Sequence, residues 1–316
     1  MLFKPENHRT FEWIGLKIIV FIMFFVSFHS HAVDIKLVEV APGIHVHQGQ
    51  HHSIDHSDRE DIANIGYIEG NDCIAVIDTG GSIAVGNALY KSIKKQTDVP
   101  ICYVINSHIH FDHLLGNVAF KSPETRFIGH VNLRDELQTD KSFFTENFLD
   151  ELNGQNDPDL IIAPDQVVET ELELDLGNRK ILITAHPTAH THTDLSIYDY
   201  QTKTIWLSDL LFVERTPVID GSLKGWLTVL DEIEKNDIEF VIAGHGRLDI
   251  PPDEAMTKQK EYLVSILEET RAMIAQGAFM EEVIEQVGQG QKENWLLFDE
   301  QHRRNVSRAF VELEWE

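Results

Sequence analysis

Six consecutive residues, His108 to His113, contain four side chains of the kinds that bind metal ions in proteins. They read His-Ile-His-Phe-Asp-His and follow the apolar run 101–105. Side chains alternate along a strand, so a strand ending here would project His108 and His110 to the same side. The turn that follows can bring Asp112 and His113 to a second point nearby. Imidazole and carboxylate groups together suit zinc, so the segment predicts a metal site; the alternative is a histidine-rich surface turn.

The pattern His-x-His-x-Asp-His resembles the signature of the metallo-β-lactamase-fold hydrolases. Three later segments match the remaining ligand positions of that family in order and in approximate spacing. They are Pro187-Thr188-Ala189-His190-Thr191, with Ala at the usual Gly, Ile205-Trp206-Leu207-Ser208-Asp209, with Ser at the usual Gly, and Ile242-Ala243-Gly244-His245-Gly246, with Ala at the usual Pro. All these departures lie beside the ligand positions and not at them.

The resemblance implies two zinc ions per chain and a metal-bridging hydroxide that attacks a carbonyl-type carbon. It assigns the ligands as follows: His108, His110 and His190 to one ion, Asp112, His113 and His245 to the other, and Asp209 to both. Asp112 is also the expected catalytic residue, which orients the nucleophile or accepts its proton. Iron or manganese can occupy similar nitrogen and oxygen ligands, so the identity of the metal stays open.

The carboxylate at Asp209 separates this chain from the members of the family that open β-lactams, which usually have Cys or Ser at that place. It favours a small ester, thioester, lactone or amide as the substrate. Within the family the chain resembles the quinoprotein relay system zinc metallohydrolases, in segments 64–68, 76–81, 184–191, 208–213, 220–226, 295–305 and 312–316. This resemblance implies an exported enzyme linked to quinoprotein dehydrogenase systems. The alternative is a non-catalytic periplasmic zinc-binding accessory protein.

The elements that must position these residues follow from hydrophobic periodicity. Predicted strands are 35–40, 43–47, 63–69, 73–78, 101–106, 126–129, 167–170, 172–176, 180–184, 195–200, 204–208 and 239–243. Predicted helices are 83–95, 221–236, 252–276 and 279–287, together with one that starts in 114–120 and a final one that ends at 315. In this pattern the ligands always follow strand ends. The resemblance implies an α/β fold, an αββα four-layer sandwich of two mixed sheets with helices outside. Residues 33–316 are expected to form one domain, with a C-terminal helical extension, 252–316, packed on it.

Several polar residues outside the ligand set are candidates for supporting roles. Asp78 is expected to bond the 108–113 loop, or else to cap the following helix. Thr191 and Asp194 either orient His190 or stabilise its turn. Five histidines, His45, His47, His51, His52 and His56, are expected in a solvated loop or cleft wall, with an additional metal site as the alternative. In the extension, Asp299 predicts an N-cap, and His302 and Arg303 are expected either to reach the cleft or to serve capping and surface roles.

The first 32 residues have the composition of a secretory signal peptide. Lys4, Arg9 and Lys17 precede the apolar run 18–28, and a small-x-small cleavage site follows at 30–32. The run is shorter than the roughly 20 residues that a transmembrane helix needs. We therefore expect a cleaved signal, a periplasmic or secreted protein and no stable membrane insertion, with a retained membrane anchor as the alternative.

The predicted mature chain is strongly acidic. It has 23 Lys and Arg against 50 Asp and Glu, a net charge of −27. Such a surface repels phosphate backbones, so we expect a small-molecule substrate and no nucleic-acid partner. The two cysteines, Cys73 and Cys102, both lie near the starts of predicted strands. They are expected either to form a disulfide between neighbouring strands or to remain as two buried thiols.

Overall fold

The structure, a computed structural model, describes residues 1–2 and 34–316. Apart from its first two residues, the predicted signal peptide lies outside this described part. Residues 33–316 form one compact unit. Within the described residues, no helix is both long enough and apolar enough to cross a membrane.

The first sheet has seven described strands, which lie side by side in chain order. They are β1 Val38–Ala41, β2 Ile44–His47, β3 Ile65–Glu69, β4 Ile74–Ile77, β5 Ile101–Ile105, β6 Arg126–His130 and β7 Gln166–Val168. Strands β1 to β4 pair antiparallel, and β4 to β7 pair parallel. Parallel pairing of β4 and β5 places Asp78 and the 106–108 segment at the same edge of the sheet.

The second sheet has five described strands in the order β12-β11-β10-β9-β8. They are β8 Glu171–Asp175, β9 Lys180–Ala185, β10 Leu195–Asp199, β11 Thr204–Phe212 and β12 Phe240–His245. Only β11 and β12 pair parallel among these strands. Helices connect and cover the two sheets: α1 Ile83–Gln96, α2 Phe111–Leu114, α3 Val131–Asn147, α4 Leu223–Ile233, α5 Pro252–Ala275, α6 Met280–Gln286 and α7 Phe298–Leu313.

The core has separate layers because both faces of the strands are apolar. Ile77 and Ile105 of the first sheet belong to one buried cluster with Ile183 and Trp206 of the second sheet. Successive strand residues point to opposite faces, so Val76 and Val104 instead pack with α1 on the outer side of the first sheet. Helices α4, α5 and α7 share a cluster with the outer side of the second sheet. The predicted αββα sandwich is confirmed.

The C-terminal extension joins the second sheet through α5, where Tyr262, Ile266 and Val306 of α7 are fully buried in the shared cluster. The predicted N-cap at Asp299 is wrong, because α7 already begins at Phe298. Leu297 precedes the helix in a left-handed conformation, with φ 57°. Just before it, the N–H of Leu296 donates to the Glu214 carbonyl, and the Leu296 carbonyl accepts from the Thr216 N–H. These bonds fix the chain ahead of Leu297, and the helix begins earlier than the predicted N-cap requires.

Cys73 and Cys102 form a disulfide with a Cα–Cα distance of 5.6 Å. The bond joins neighbouring parallel strands, because Cys73 immediately precedes β4 and Cys102 lies in β5. The alternative of two buried thiols is therefore wrong. A covalent link of this kind is typical of proteins that fold in an oxidising compartment.

Replacing both cysteines by alanine is expected to reduce the free energy of unfolding by about 3–4 kcal/mol, from the loop entropy of a 29-residue separation. Urea unfolding of the oxidised wild type and of Cys73→Ala/Cys102→Ala measures the difference. A reductant should lower the free energy of unfolding of the wild type and leave that of the double variant unchanged. Equal stability of the two oxidised proteins would contradict a stabilising role of the disulfide.

Candidate metal centre

The structure brings together four of the predicted ligands in a first group, His108, His110, His190 and Asp209. His110 Nδ1 lies 3.0 Å from His108 Nε2 and 3.1 Å from His190 Nε2. Asp209 Oδ2 lies 3.7 Å from His108 Nε2 and 3.5 Å from His190 Nε2. Tetrahedral zinc with Zn–N bonds of about 2.0–2.1 Å separates its ligand atoms by about 3.4 Å. The four donors therefore have the spacing of a single-ion site.

The other three predicted ligands, Asp112, His113 and His245, form a second group. Asp112 Oδ2 lies 3.5 Å from His113 Nε2 and 3.4 Å from His245 Nε2. Asp209 borders this group as well, since its Oδ1 is 3.1 Å from His113 Nε2 and its Oδ2 is 3.2 Å from His245 Nε2. One carboxylate thus lies between two clusters of donors.

The outer nitrogen of every histidine in the two groups has a hydrogen-bond partner. The pairs are His108 Nδ1 with Ser107 Oγ (2.9 Å), His110 Nε2 with Asp220 Oδ2 (3.0 Å), His113 Nδ1 with Asp78 Oδ2 (2.8 Å), His190 Nδ1 with the Val218 carbonyl (2.7 Å) and His245 Nδ1 with the Ile62 carbonyl (2.7 Å). These acceptors hold the proton on the outer nitrogen, so the inner nitrogen presents a lone pair.

Inward nitrogens placed this close repel one another unless a proton or a metal ion lies between them. Three imidazole nitrogens, those of His108, His110 and His190, meet within 3.1 Å contacts. In the second group His113 Nε2 and Asp209 Oδ1 lie 3.1 Å apart without the geometry of a hydrogen bond, and neither of these buried atoms has another partner within the described residues. Buried polar atoms are rarely left unsatisfied in native proteins. The residues present therefore fit metal ions in both groups.

Electrostatics favour the protonation states of metal ligands at His108, His190 and Asp209. Burial lowers the pKa of the His190 imidazole to about 4 and that of His108 well below its ordinary value, so both are neutral at pH 7. Burial by itself would raise the pKa of Asp209, but the facing imidazoles of His245 and His113 hold it well below its ordinary value. Neutral imidazole and ionised carboxylate are the forms that bind metals. Against the effect of burial, Asp209 holds the pKa of His113 well above its ordinary value and Asp220 raises the pKa of His110, so these two imidazoles must give up a proton to bind a metal.

Asp78 supports the first-sheet side of the cluster from the end of β4. Its carboxylate accepts hydrogen bonds from the backbone N–H of Ser107 (2.8 Å) and from the hydroxyls of Ser107 (2.8 Å) and Ser208 (3.0 Å), besides His113. The predicted bonding of Asp78 to the 108–113 loop is confirmed. The alternative of a helix cap is wrong, because Ser82 caps α1 by accepting from the Val85 N–H.

Asp78→Asn should weaken zinc binding by about 10- to 100-fold, because the amide cannot accept from all these donors and would leave His113 less firmly oriented. Competition with a chromogenic chelator measures the affinity. The matched control is Asp98→Asn, an exposed carboxylate in the connection between β4 and β5. An unchanged zinc affinity in Asp78→Asn would show that the carboxylate has no part in holding the ligands.

Asp209 lies inside a strand and not at a strand end, which corrects the prediction. The predicted strand stops at Ser208, whereas β11 continues to Phe212. Ser208 has a left-handed backbone, with φ 47°, and the pairing with β12 shifts register on both sides of it. The kink turns the Asp209 side chain toward the other ligands. Gly244 of β12 is required opposite it, since a Cβ there would lie 1.8 Å from Asp209 Oδ1.

His245 ends β12 and is held by the first sheet. The Asn64 side chain donates to the carbonyls of Ala243 and Gly246, both at 2.9 Å, and its own oxygen accepts from the Gly49 N–H at 3.0 Å. Together with the bond from His245 to the Ile62 carbonyl, this network joins the two sheets next to the second donor group. No local sequence pattern marks Asn64 for this role.

The supporting roles near His190 differ from one expectation. Asp194 accepts from the N–H and the hydroxyl of Thr191 and makes no bond to His190. The pair therefore stabilises the turn, which was the alternative, and burial raises the pKa of Asp194 to about 7. His190 is oriented by Val218 instead. Asp220, which bonds His110 and also pairs with Arg304 of α7, was missed because its partners are distant in sequence.

The histidines of the 45–56 segment have several different surroundings. The prediction of a solvated loop is wrong for His45 and His47, because both lie in β2. His47 is buried and bonds Asp61 at 2.7 Å, and His45 stacks on Tyr67. Nitrogens of His52 and His56 form a possible ligand group with an oxygen of Asp58, but all three residues are at least partly exposed. This group is a weaker candidate for a metal than the buried cluster.

The extension reaches the cleft through residues other than those considered from the sequence. His302 bonds the Val287 carbonyl at 2.7 Å and Arg303 pairs with Glu285, so neither reaches the cleft. Gln301 and Arg304 of α7 are the residues of the extension that reach the cleft. They line a cavity of about 230 Å³ together with the donor residues His110, Asp112, Asp209 and His245.

The family model of the metallo-beta-lactamase superfamily matches residues 58–245, a segment that contains all seven predicted ligands. The chain belongs to this superfamily. Membership confirms the coarser resemblance and the prediction of an enzyme, a hydrolase. Comparison with curated proteins finds no relative that matches.

Several solved structures of the superfamily are similar to this chain. A metallo-beta-lactamase from Pontibacter korlensis has a TM-score of 0.59 at 15% identity, over 73% of this chain and 99% of its own. The metallo-beta-lactamase IND-7 has a TM-score of 0.58 at 12% identity, over 73% and 98%. The stereoselective inverting sec-alkylsulfatase Pisa1 from Pseudomonas sp. has a TM-score of 0.66 at 16% identity, over 87% of this chain but only 50% of its own. At these identities the likeness establishes the fold alone.

Proposed function

We propose that this metallo-beta-lactamase superfamily member is an exported hydrolase that cleaves a small ester, thioester, lactone or amide. It would use two metal ions, for which zinc is the proposed metal. The observation that carries the proposal is the position of Asp209. Its buried carboxylate approaches histidine nitrogens of both donor groups, at 3.5 Å from His190 and 3.1 Å from His113. A site for one metal ion would not need the second group of oriented ligands, Asp112, His113 and His245.

The donor set determines which metals fit. Imidazole nitrogens and carboxylate oxygens suit zinc, and iron or manganese can use the same ligands. Zinc bound here would supply a water of lowered pKa and a Lewis acid for the substrate oxygen. The chain contributes the buried walls, the oriented imidazoles and a carboxylate, Asp112, that lines the cavity with an exposed fraction of 5%. We assign Asp112 to orient the attacking water or to accept its proton.

Zinc-loaded protein should hydrolyse members of a panel of simple 4-nitrophenyl esters, acyl thioesters, lactones and anilides, with nitrocefin included as a β-lactam. Turnover that depends on added zinc supports the proposal. A folded protein with two zinc ions that turns over nothing in the panel would instead support the non-catalytic accessory protein. Elemental analysis of protein purified from its native compartment identifies the metal.

The proposed location is the periplasm. The signal-like composition of residues 1–32 and the disulfide between Cys73 and Cys102 support it, since cytoplasmic proteins seldom keep such bonds. Mass spectrometry of the mature protein from a periplasmic fraction should find an N-terminus close to residue 33. Recovery of the uncleaved chain in the membrane fraction would favour the retained anchor.

The proposed biological context is a quinoprotein dehydrogenase system. It is supported by the resemblance of segments 64–68, 184–191 and 295–305 to the quinoprotein relay zinc metallohydrolases. Deletion of the gene should impair growth on a substrate that requires a quinoprotein dehydrogenase, and the wild-type gene should restore it. Normal growth of the deletion strain under those conditions would argue against the link.

A further inference from the structure

Arg215 lies in the wall of the same cavity as Asp112, Asp209 and His245, just after β11. The residue is 2% exposed. Its Nη1 donates to the His52 carbonyl at 2.8 Å, and its buried Nε has no hydrogen-bond partner within the described part of the chain. A guanidinium has five N–H donors, so this one is far from saturated.

The two other arginines that line this cavity are each paired with a carboxylate, unlike Arg215. Arg59 Nε lies 2.6 Å from Glu151 Oε1, and Arg304 pairs with Asp220. Within residues 34–316, Arg215 forms no ion pair with a carboxylate. Three carboxylates, Asp112, Asp209 and Glu300, act on it only at longer range. Buried charges in proteins normally have partners, because taking a charge out of water is unfavourable. Burial accordingly lowers the pKa of the Arg215 guanidinium from its ordinary value.

The lining of the cavity also includes apolar side chains. Phe111 and Phe148 stack with their ring centroids 4.6 Å apart, and Ile54 belongs to the same lining. The guanidinium of Arg59 lies over both rings, 5.6 Å and 5.3 Å from their centroids. Both rings also line an adjoining cavity of about 450 Å³, where Phe143 is 53% exposed. Exposed aromatic surface next to a polar centre is typical of a ligand-binding site.

We propose that Arg215 is an anion-binding subsite and that the substrate is an amphipathic carboxylate. Its carboxylate would pair with the guanidinium, whose planar fork matches carboxylate geometry. Its apolar part would lie against Phe111 and Phe148, with the scissile group between them at the donor cluster. The proposal rests on the proposed function and specifies its substrate class. An anionic substrate would also account for a buried arginine without an ion-pair partner in a chain whose net charge is −26.

Isothermal titration calorimetry of the zinc-loaded protein with 3-phenylpropionate and with its neutral amide tests the subsite without requiring turnover. The wild type should prefer the carboxylate. Arg215→Met should weaken carboxylate binding by about 10- to 100-fold and leave amide binding unchanged. The control is Arg271→Met, which removes an exposed arginine paired with Glu316 and should change neither affinity.

Two outcomes overturn the subsite. One is a wild type that does not prefer the carboxylate. The other is an Arg215→Met variant that keeps the preference, as expected if the carboxylate binds only to zinc. Arg215→Lys serves if the methionine variant does not fold; it keeps the charge without the fork and should retain a reduced preference, whereas full retention of the preference contradicts fork recognition.

Kinetics provide the second arm once a hydrolysed ester is found. Arg215→Met should reduce kcat/KM for 4-nitrophenyl hydrogen glutarate and leave 4-nitrophenyl valerate unaffected. A merely structural role, such as holding the His52 carbonyl, would reduce both alike. Absence of any hydrolysis would contradict the proposed function but would leave the binding result intact, so the two failures are distinguishable.

Discussion

Asp209→Asn is expected to reduce kcat/KM by at least about 10²- to 10³-fold, a loss typical of removing one preorganised charged group from an active site. The carboxylate is buried among four imidazoles, at 3.1–3.7 Å from their inner nitrogens. Asparagine has nearly the same shape, but it removes the negative charge between the two donor groups. Its amide would also direct N–H groups at lone pairs. Elemental analysis should find fewer than two zinc ions per variant chain.

The control for this substitution is Asp237→Asn, an exposed carboxylate that pairs with Lys203 on the surface. It should keep both metals and full activity. Circular dichroism should show the same secondary structure in both variants, so that lost activity is not attributed to unfolding. An Asp209→Asn protein with two zinc ions and wild-type turnover would contradict the bridging role.

Removal of the metals by a chelator is the second large expected effect. Hydrolysis should be lost and should return on addition of zinc. Unfolding should also become easier, because a ligand present at about 1,000 times its Kd stabilises the folded state by about 4 kcal/mol. For a domain of this size that corresponds to a Tm lower by about 10 °C.

Chelator premixed with excess zinc is the control, and it should change neither activity nor Tm. Asp209→Asn should show a smaller Tm shift on chelation, since part of its metal binding is already gone. Full activity of demonstrably metal-free protein would contradict metal-assisted hydrolysis, whatever the change in stability.

The strands and helices near the ligands were predictable because their signals are local. Alternating and continuous apolar runs marked β4, β5 and α1 to within one or two residues. The predictions failed where backbone geometry departs from regular structure. Ser208 adopts φ 47° inside β11, and Leu297 adopts φ 57° before α7; neither residue type predicts a left-handed conformation. Ser208 lies where β11 shifts register against β12, and Leu297 follows Leu296, whose backbone bonds Glu214 and Thr216. Both conformations therefore occur where the chain meets a distant segment.

By itself the sequence determined the types and order of the seven ligands, because donor chemistry is a property of the side chain and the segment 108–113 concentrates it. The tertiary structure decided which atoms orient those ligands. The Ile62 and Val218 carbonyls, Asp220 and Asn64 become partners only when the sheet edges and the loop before α4 meet. It also decided that Arg215 is buried without a carboxylate partner within the described residues. Hydrogen bonding and burial are relations between distant segments, so no local spacing of residue types encodes them.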